Sequence, residues 1–339
     1  MTDTTGREDA VLAAGLAGWL ADRGRRGAEV RGLRRPSAGF SSETLFVDAT
    51  WTDGGATVER ALVVRMAPSG PGSFPAYDLT AQWEAQRAAA AAGVPVADPV
   101  LEVDPSWLGG PFLVMTRVEG HVVGGLPHLD RWLGSLGDAD RARVHRNLVE
   151  AIAAVHRAEP PAGATVPRRD LGAELDFWER YLGWSSGGAP VAVLAAALRW
   201  CRQRCPDRES APVLLWGDAR FENAVLGDDL EVRAVLDWDM TSVGAPEHDL
   251  AWFTALDATM FHLFGQRAAG FPDREGTVAI YEEAGGRRVR DLGWFETLAM
   301  LRSAAVMTRL GYLRRDAGEP PLLPIEDNPV LDLLGSRLH

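Results

Sequence analysis

The sequence predicts an α+β fold in two lobes: an antiparallel sheet plus helix over residues 1–115, with a leading helix, and a mainly helical lobe over residues 116–339. Three observations predict it. Short β-branched and aromatic runs crowd the stretch from Phe40 to Val118. Helical stretches dominate from about His121 onward. A single cluster of short apolar runs interrupts those helices between Val213 and Leu236. The 339-residue length suits roughly two domains or lobes.

Each element has its own local reason. Ala10 to Ala21 is a short apolar run without a basic lead-in, which reads as an amphipathic helix rather than a signal peptide or a membrane span. Phe40 to Thr50 alternates and ends at the Asp53-Gly54-Gly55 turn, and Ala61 to Met66 is a second strand. Pro75 to Ala92 is rich in Ala, Glu, Gln and Arg and closes at Gly93, so it reads as the helix of the first lobe. Val96 to Val103 and Pro111 to Val118 follow as strands around a turn at 105–110. Helices are expected at Asp138 to His156, Leu171 to Leu182 and Val191 to Cys205. After the short strands Val213 to Trp216, Ala224 to Leu226 and Val232 to Leu236 they resume at Glu247 to Leu256, Asp273 to Ala284 and Leu292 to Leu313, with a short terminal helix.

Composition removes several function classes. Net charge is −12 and pI about 5.1, which argues against nucleic acid or an anionic membrane as partner and is compatible with a cationic small molecule. All 35 basic residues are Arg. Without Lys there is no Walker-type P-loop and no Schiff-base chemistry. No H-E-x-x-H motif occurs and the seven His are scattered, so a hydrolase reading has little support. Cys201 and Cys205, four apart without a second pair, read as helix-face thiols of a reducing compartment, and a cytoplasmic location is expected.

The chemistry concentrates in Trp216-Gly217-Asp218-Ala219-Arg220-Phe221-Glu222-Asn223 and in Asp237-Trp238-Asp239, nineteen residues after Asp218. An Asp and an Asn five apart, then an Asp ending an apolar run, form a set of hard oxygen ligands suited to one base and Mg²⁺ on a nucleotide phosphate. The competing reading makes them turn formers, as Asp and Asn commonly are. Against it, the chain has only three Asn, and Asn223 falls beside two strand-flanked Asp.

These residues resemble the aminoglycoside phosphotransferase-like family, whose pattern is His-Gly-Asp-x-x-x-x-Asn, then Ile-Asp-Trp-Glu or Asp, then Gly-Asp-Pro-x-x-Asp-Leu-Ala. The last appears here as Gly244-Ala245-Pro246-Glu247-His248-Asp249-Leu250-Ala251. The resemblance runs from about residue 35 to 315. It implies a protein-kinase-like fold with residues 1–115 as the nucleotide-binding lobe, ATP or GTP as co-substrate, Mg²⁺, and a small hydroxyl-bearing acceptor. By the same resemblance Asp218 is the catalytic base, Asn223 and Asp237 hold the metal, and Asp249 braces the catalytic loop. Arg220 either neutralises charge near the transferring group or is a surface residue. Ser41 and Ser42 fall in the phosphate-covering loop, and Thr116 to Val118 in the hinge that meets the adenine edge. Arg65 stands where the family often has a phosphate-pairing Lys, and Glu84 where a helix Glu would pair with it; a Glu84–Arg87 surface pair competes. Trp216 stands where the family has His. Trp252, Glu282, Glu283, Trp294 and Glu296 are candidates for an acidic and aromatic acceptor pocket. A binding protein of the same fold with little or no catalysis is the alternative function.

Overall fold

The computed structural model describes residues 8–36, 42–124, 127–160, 162–186, 191–265, 267 and 269–339. The chain opens with α1 (Asp9–Asp22), β1 (Arg26–Arg34), β2 (Glu43–Asp53), β3 (Ala56–Met66) and α2 (Leu79–Ala91). It continues with β4 (Val100–Glu102), the short α3 (Pro105–Leu108) and β5 (Phe112–Thr116). The five strands form one antiparallel sheet in the order β1-β2-β3-β5-β4.

Period-2 alternation divides the sheet between two helices. Leu45, Val47, Val64, Met66, Phe112 and Val114 pack under Leu12, Leu16, Trp19 and Leu20 of α1. Leu113 and Met115 turn to the other face and join Leu79, the first residue of α2. The opposite flank of α2 is lined by Ala81, Ala85, Ala88 and Ala89, which sit in the same core cluster as Val144, Leu148 and Ile152 of the helical lobe. Small residues there let α2 lie close against its neighbours.

The second lobe contains α4 (Arg131–Ser135), α5 (Asp138–Val155), α6 (Leu171–Ser185), α7 (Ala192–Gln203), α8 (Glu247–Phe264), α9 (Arg274–Glu283), α10 (Leu292–Asp316) and α11 (Pro329–Ser336). Two antiparallel ribbons interrupt them: β6 (Val213–Leu215) with β9 (Ser242–Gly244), and β7 (Ala224–Leu226) with β8 (Val232–Val235). The predicted antiparallel sheet plus helix and mainly helical lobe are therefore both present. Among the described residues no helix is long and apolar enough to cross a membrane.

Several expectations change. β1 has no counterpart in the sequence reading, because it is an Arg-rich edge strand whose charges belong on an exposed sheet edge. The helix expected from Pro75 begins at Leu79, since Asp78 caps it by accepting from the Ala81 N–H at 2.9 Å. The turn at 105–110 contains one helical turn, capped by Asp104 and stopped by left-handed Gly109. α8 runs to Phe264 rather than Leu256. Cys205 lies beyond α7; both cysteines are free, and burial pushes the Cys201 thiol up to about 12.

Candidate active site

β6 and β7 hold a tight loop between them, and Asp218 sits in it. Gly217 makes the bend: its φ is +92°, and a Cβ there would fall 2.2 Å from the Met240 carbonyl oxygen. The loop is tied down from below. Asp249, in the first turn of α8, accepts the Trp216 N–H at 2.7 Å through Oδ2 and the Gly217 N–H at 2.8 Å through Oδ1. His156 Nε2 lies 3.1 Å from the same Oδ2, and its Nδ1 lies 2.7 Å from the Tyr281 hydroxyl. A ring tautomer that donates from Nε2 and accepts at Nδ1 satisfies both contacts. The Arg302 guanidinium of α10, buried among Trp178 and Trp252, donates to the Gly217 carbonyl at 3.3 Å.

The Asp218 carboxylate is held at both oxygens. Trp252 donates its indole N–H to Oδ1 at 2.8 Å, and Asn223 donates its amide to Oδ2 at 2.8 Å and to the Asp218 carbonyl at 3.0 Å. Arg220 Nε lies 3.2 Å from Oδ1. Burial pushes the carboxyl above its usual range and the nearby Asp237 charge adds to this, while Arg220, Asn223 and Trp252 oppose it. The outcome is a desolvated carboxylate with fixed orientation, the state a general base requires.

Asn223 spends its amide hydrogens on Asp218, which leaves Oδ1 as its ligating end. Its carbonyl accepts from the Leu236 N–H at 2.7 Å, so the Asn223 backbone is tied to the strand end that carries Asp237. Asp237 itself adopts a left-handed φ of +57°. Among the described residues no group of three or more His, Cys, Asp or Glu forms a metal cage. An amide oxygen plus a carboxylate instead fits Mg²⁺, which takes few protein ligands and keeps water and phosphate oxygens.

The nucleotide-side residues are arranged differently from expectation. Arg65 Nη2 lies 3.1 Å from Asp237 Oδ1 and 3.1 Å from Asp239 Oδ2, and these two carboxylates hold the guanidinium firmly protonated against the cost of its burial. Glu84 does not meet Arg65; it accepts from the Thr165 N–H at 2.5 Å and hydroxyl at 2.9 Å. Nor does Arg87 pair with it: the Arg87 guanidinium lies 5.1 Å over the Trp83 ring. At 100° per residue, Glu84 lies about 200° around α2 from Gln82, and it is Gln82 that faces the site, donating to Asp239 Oδ1 at 2.6 Å. Ser42 donates to Asp239 at 2.9 Å; Ser41 lies outside the described residues. Thr116 ends β5 opposite Leu62, Arg117 N–H donates to Ala61 at 2.9 Å, and Val118 packs below the sheet.

Of the five acceptor-pocket residues only Trp252 reaches the site. Glu282 accepts the Val289 N–H and Glu283 meets Arg146. Trp294 donates to the Cys201 carbonyl, and Glu296 is held by Arg274 and Arg337. Gln82, Asp239 and Arg302 have no role assigned from sequence. Arg302 had a visible signal, a charge inside the apolar run Ala299-Met300-Leu301-Arg302-Ser303-Ala304-Ala305. Trp216, by contrast, plays the loop-shaping part: fully buried, it donates its indole N–H to the Leu236 carbonyl at 2.7 Å.

Residues 32–310 match the model of the phosphotransferase enzyme family, APH. The chain belongs to this family. Its fold is that of solved kinase-like family structures. A putative aminoglycoside phosphotransferase from Ralstonia eutropha superposes with a TM-score of 0.66 at 21% identity, covering 96% of this chain and 94% of the other. A thermostable aminoglycoside phosphotransferase mutant, solved with AMP-PNP and hygromycin B, superposes at 0.54 with 17% identity, covering 96% of each. Among curated proteins, acyl-CoA dehydrogenase family member 11 of Gallus gallus is 26% identical over 295 residues, 81% of this chain and 36% of the relative. The chain thus spans about a third of that relative's length.

Proposed function

We propose that this phosphotransferase family member is a small-molecule kinase that moves the γ-phosphoryl group of MgATP or MgGTP to a hydroxyl of a small substrate. The observation that carries this reading is the Asp218 carboxylate, fixed by Trp252 and Asn223 in a loop whose backbone Asp249 braces. Phosphoryl transfer demands positioning and charge neutralisation rather than covalent help from the protein, so this small constellation suffices. Asp218 accepts the acceptor hydroxyl's proton as that oxygen forms its bond to phosphorus, and Arg220 beside it balances charge near the transferring group. Asn223 Oδ1 and the Asp237 carboxylate would hold Mg²⁺, and the ion would supply charge neutralisation for the phosphate oxygens. Residues 1–115 bind the nucleotide, with Ser42 near the phosphates and the Thr116–Val118 backbone along the adenine edge. Residues 116–339 carry the catalytic loop and the acceptor.

Arg65 favours a second reading, a nucleotide-binding protein with weak transfer, because its guanidinium already occupies Asp237 and Asp239. One experiment separates the two. Calorimetry with MgATP and MgGTP is run on the native chain and on Asp218→Ala, alongside a transfer assay over a panel of hydroxyl compounds. The kinase reading expects Mg²⁺-dependent binding by both proteins and a loss of transfer in the variant of roughly 10²–10⁴-fold. Binding without transfer to any acceptor supports the second reading, and no Mg²⁺-dependent binding overturns both.

A further inference from the structure

A cavity of about 460 Å³ opens directly beyond the catalytic loop. That volume falls within the roughly 300–1,000 Å³ of small-molecule sites. Its wall is largely apolar: Phe253, Leu256 and Met260 recur along one face of α8, and Phe221, Phe271 and Met307 close the other sides. Arg220 joins this space to the chemistry, since it lines the cavity and lies 3.2 Å from Asp218 Oδ1. The lining is poorly suited to a polycation. Its carboxylates, Glu222 and Asp257, are matched in the same wall by the guanidinium groups of Arg220 and Arg267, and Asp257 is paired with Arg267 at 2.9 Å.

Among the described residues of this wall, Arg220 Nε and Arg267 Nε lie in ion pairs with Asp218 and Asp257, and His145 Nδ1 has neither an ion-pair nor a hydrogen-bond partner. His145 packs among Phe221, Phe253 and Phe271 at centroid distances of 6.1, 5.1 and 5.2 Å. The Thr277 hydroxyl donates to the Asp273 carbonyl at 2.9 Å, so towards His145 Nε2 at 3.3 Å it acts as acceptor. That places the ring proton on Nε2 and a lone pair on Nδ1. Nδ1 is buried and has no hydrogen-bond partner. Burial pushes the imidazole down to about 3, so the ring is neutral and the lone pair available at ordinary pH. A buried acceptor left unmatched is costly, and a ligand donor would satisfy it.

We infer that the acceptor is a lipophilic alcohol carrying a second hydrogen-bond donor: its apolar body fills the cavity lined by Phe253, Met260 and Met307, and a second hydroxyl or N–H donates to His145 Nδ1. The inference rests on the kinase reading and names the substrate class of that site. The reacting hydroxyl gives its proton to Asp218 as its oxygen bonds to the γ-phosphorus. The bond from that phosphorus to the β-phosphate oxygen breaks, and the nucleoside diphosphate leaves.

The test measures nucleoside diphosphate release from MgATP and MgGTP by the full chain with octanediol, octanol, choline and hygromycin B. Octanediol is expected to show the highest kcat/KM, at least ten times that of octanol. His145→Phe, which keeps the aromatic packing, should lower octanediol kcat/KM at least ten-fold and remove its advantage over octanol. Leu256→Trp, which fills the cavity, should lower both without changing MgATP affinity. If MgATP binds but choline or hygromycin B is preferred, or octanediol is not turned over, the inference fails while the kinase reading stands. Equal use of octanol and octanediol removes the role of His145, which the native chain tests even if His145→Phe does not fold. No nucleotide binding removes the kinase reading and the inference together.

Discussion

Trp252 stands between two charges: its indole N–H meets Asp218 Oδ1 at 2.8 Å, and the Arg302 guanidinium lies 4.9 Å from its ring. A hydrogen bond to an ionised acceptor is worth about 1.5–3 kcal/mol, and it favours the charged form. Trp252→Phe keeps an aromatic ring beside Arg302 and removes only the donor. Its expected result is a roughly ten-fold or greater fall in turnover and an acid limb of the pH–rate profile displaced upward, because Asp218 loses a group that lowers its pKa. An unshifted profile would mean that another group sets the limb. Asp249 acts one step further back, through the backbone. In Asp249→Asn one oxygen that accepts an N–H becomes an NH₂ facing it, at a residue 1% exposed. Urea unfolding should show a loss of about 2–3 kcal/mol, in line with unsatisfied buried donors. Turnover should fall more than nucleotide affinity, since the loop and not the sheet lobe is disturbed.

At the scale of elements, Asp239 is where the sheet, α2 and the ribbons meet: Ser42 before β2, Arg65 on β3 and Gln82 on α2 all reach it. Removing it has a consequence for its neighbour. In Asp239→Ala, Arg65 keeps Asp237 as its carboxylate partner and pairs with it alone, so the Mg²⁺ proposed at Asp237 would have to compete harder for that oxygen. The expected outcome is a lowered Tm, and an Mg²⁺ requirement for nucleotide binding shifted to higher concentration, read by titration at fixed ATP. Unchanged Mg²⁺ dependence would detach Arg65 from the metal site. This junction marks the limit of what the sequence made legible. Asp218, Asn223 and Asp237 could be singled out as candidates because a short loop between apolar strands keeps them local, and Asp249 because its motif follows at fixed spacing. The Gln82–Asp239 contact spans 157 positions and depends on how α2 is rotated, and a two-residue difference along a helix separates Gln82 from Glu84 by more than half a turn. β1 and β9 were missed for a related reason: one is charged, the other three residues long, and neither has an apolar period to read.

Across the whole molecule, the absence of Lys means that every ion pair made by a side-chain ammonium or guanidinium uses Arg, and one of these, Arg302 near Glu174, lies in the interior between the rings of Trp178 and Trp252. Arg tolerates this because its delocalised charge is weakly hydrated and stays protonated. Histidine behaves in the opposite way. Burial is the leading cause that pushes His145 down to about 3 and His248 down to about 4, from an ordinary value of 6.5. The unfolded chain therefore binds protons at these sites below pH 6.5 while the folded chain does not. Their contribution is fully present above that pH and is lost as pH falls towards 4 and 3, at about 1.4 kcal/mol per pH unit for each ring. Asp218, Glu222 and Asp257 act against this, because their raised carboxyl pKa values favour the folded state on acidification. A comparison of variants isolates the histidine part. Guanidinium unfolding at pH 7.5 and pH 5.0 should show the native chain losing more stability than His145→Phe/His248→Phe, by on the order of 3–4 kcal/mol over the 1.5 units below pH 6.5. Parallel losses in both proteins would mean that these rings are protonated in the folded state, and the neutral His145 acceptor in the cavity wall would be lost with them.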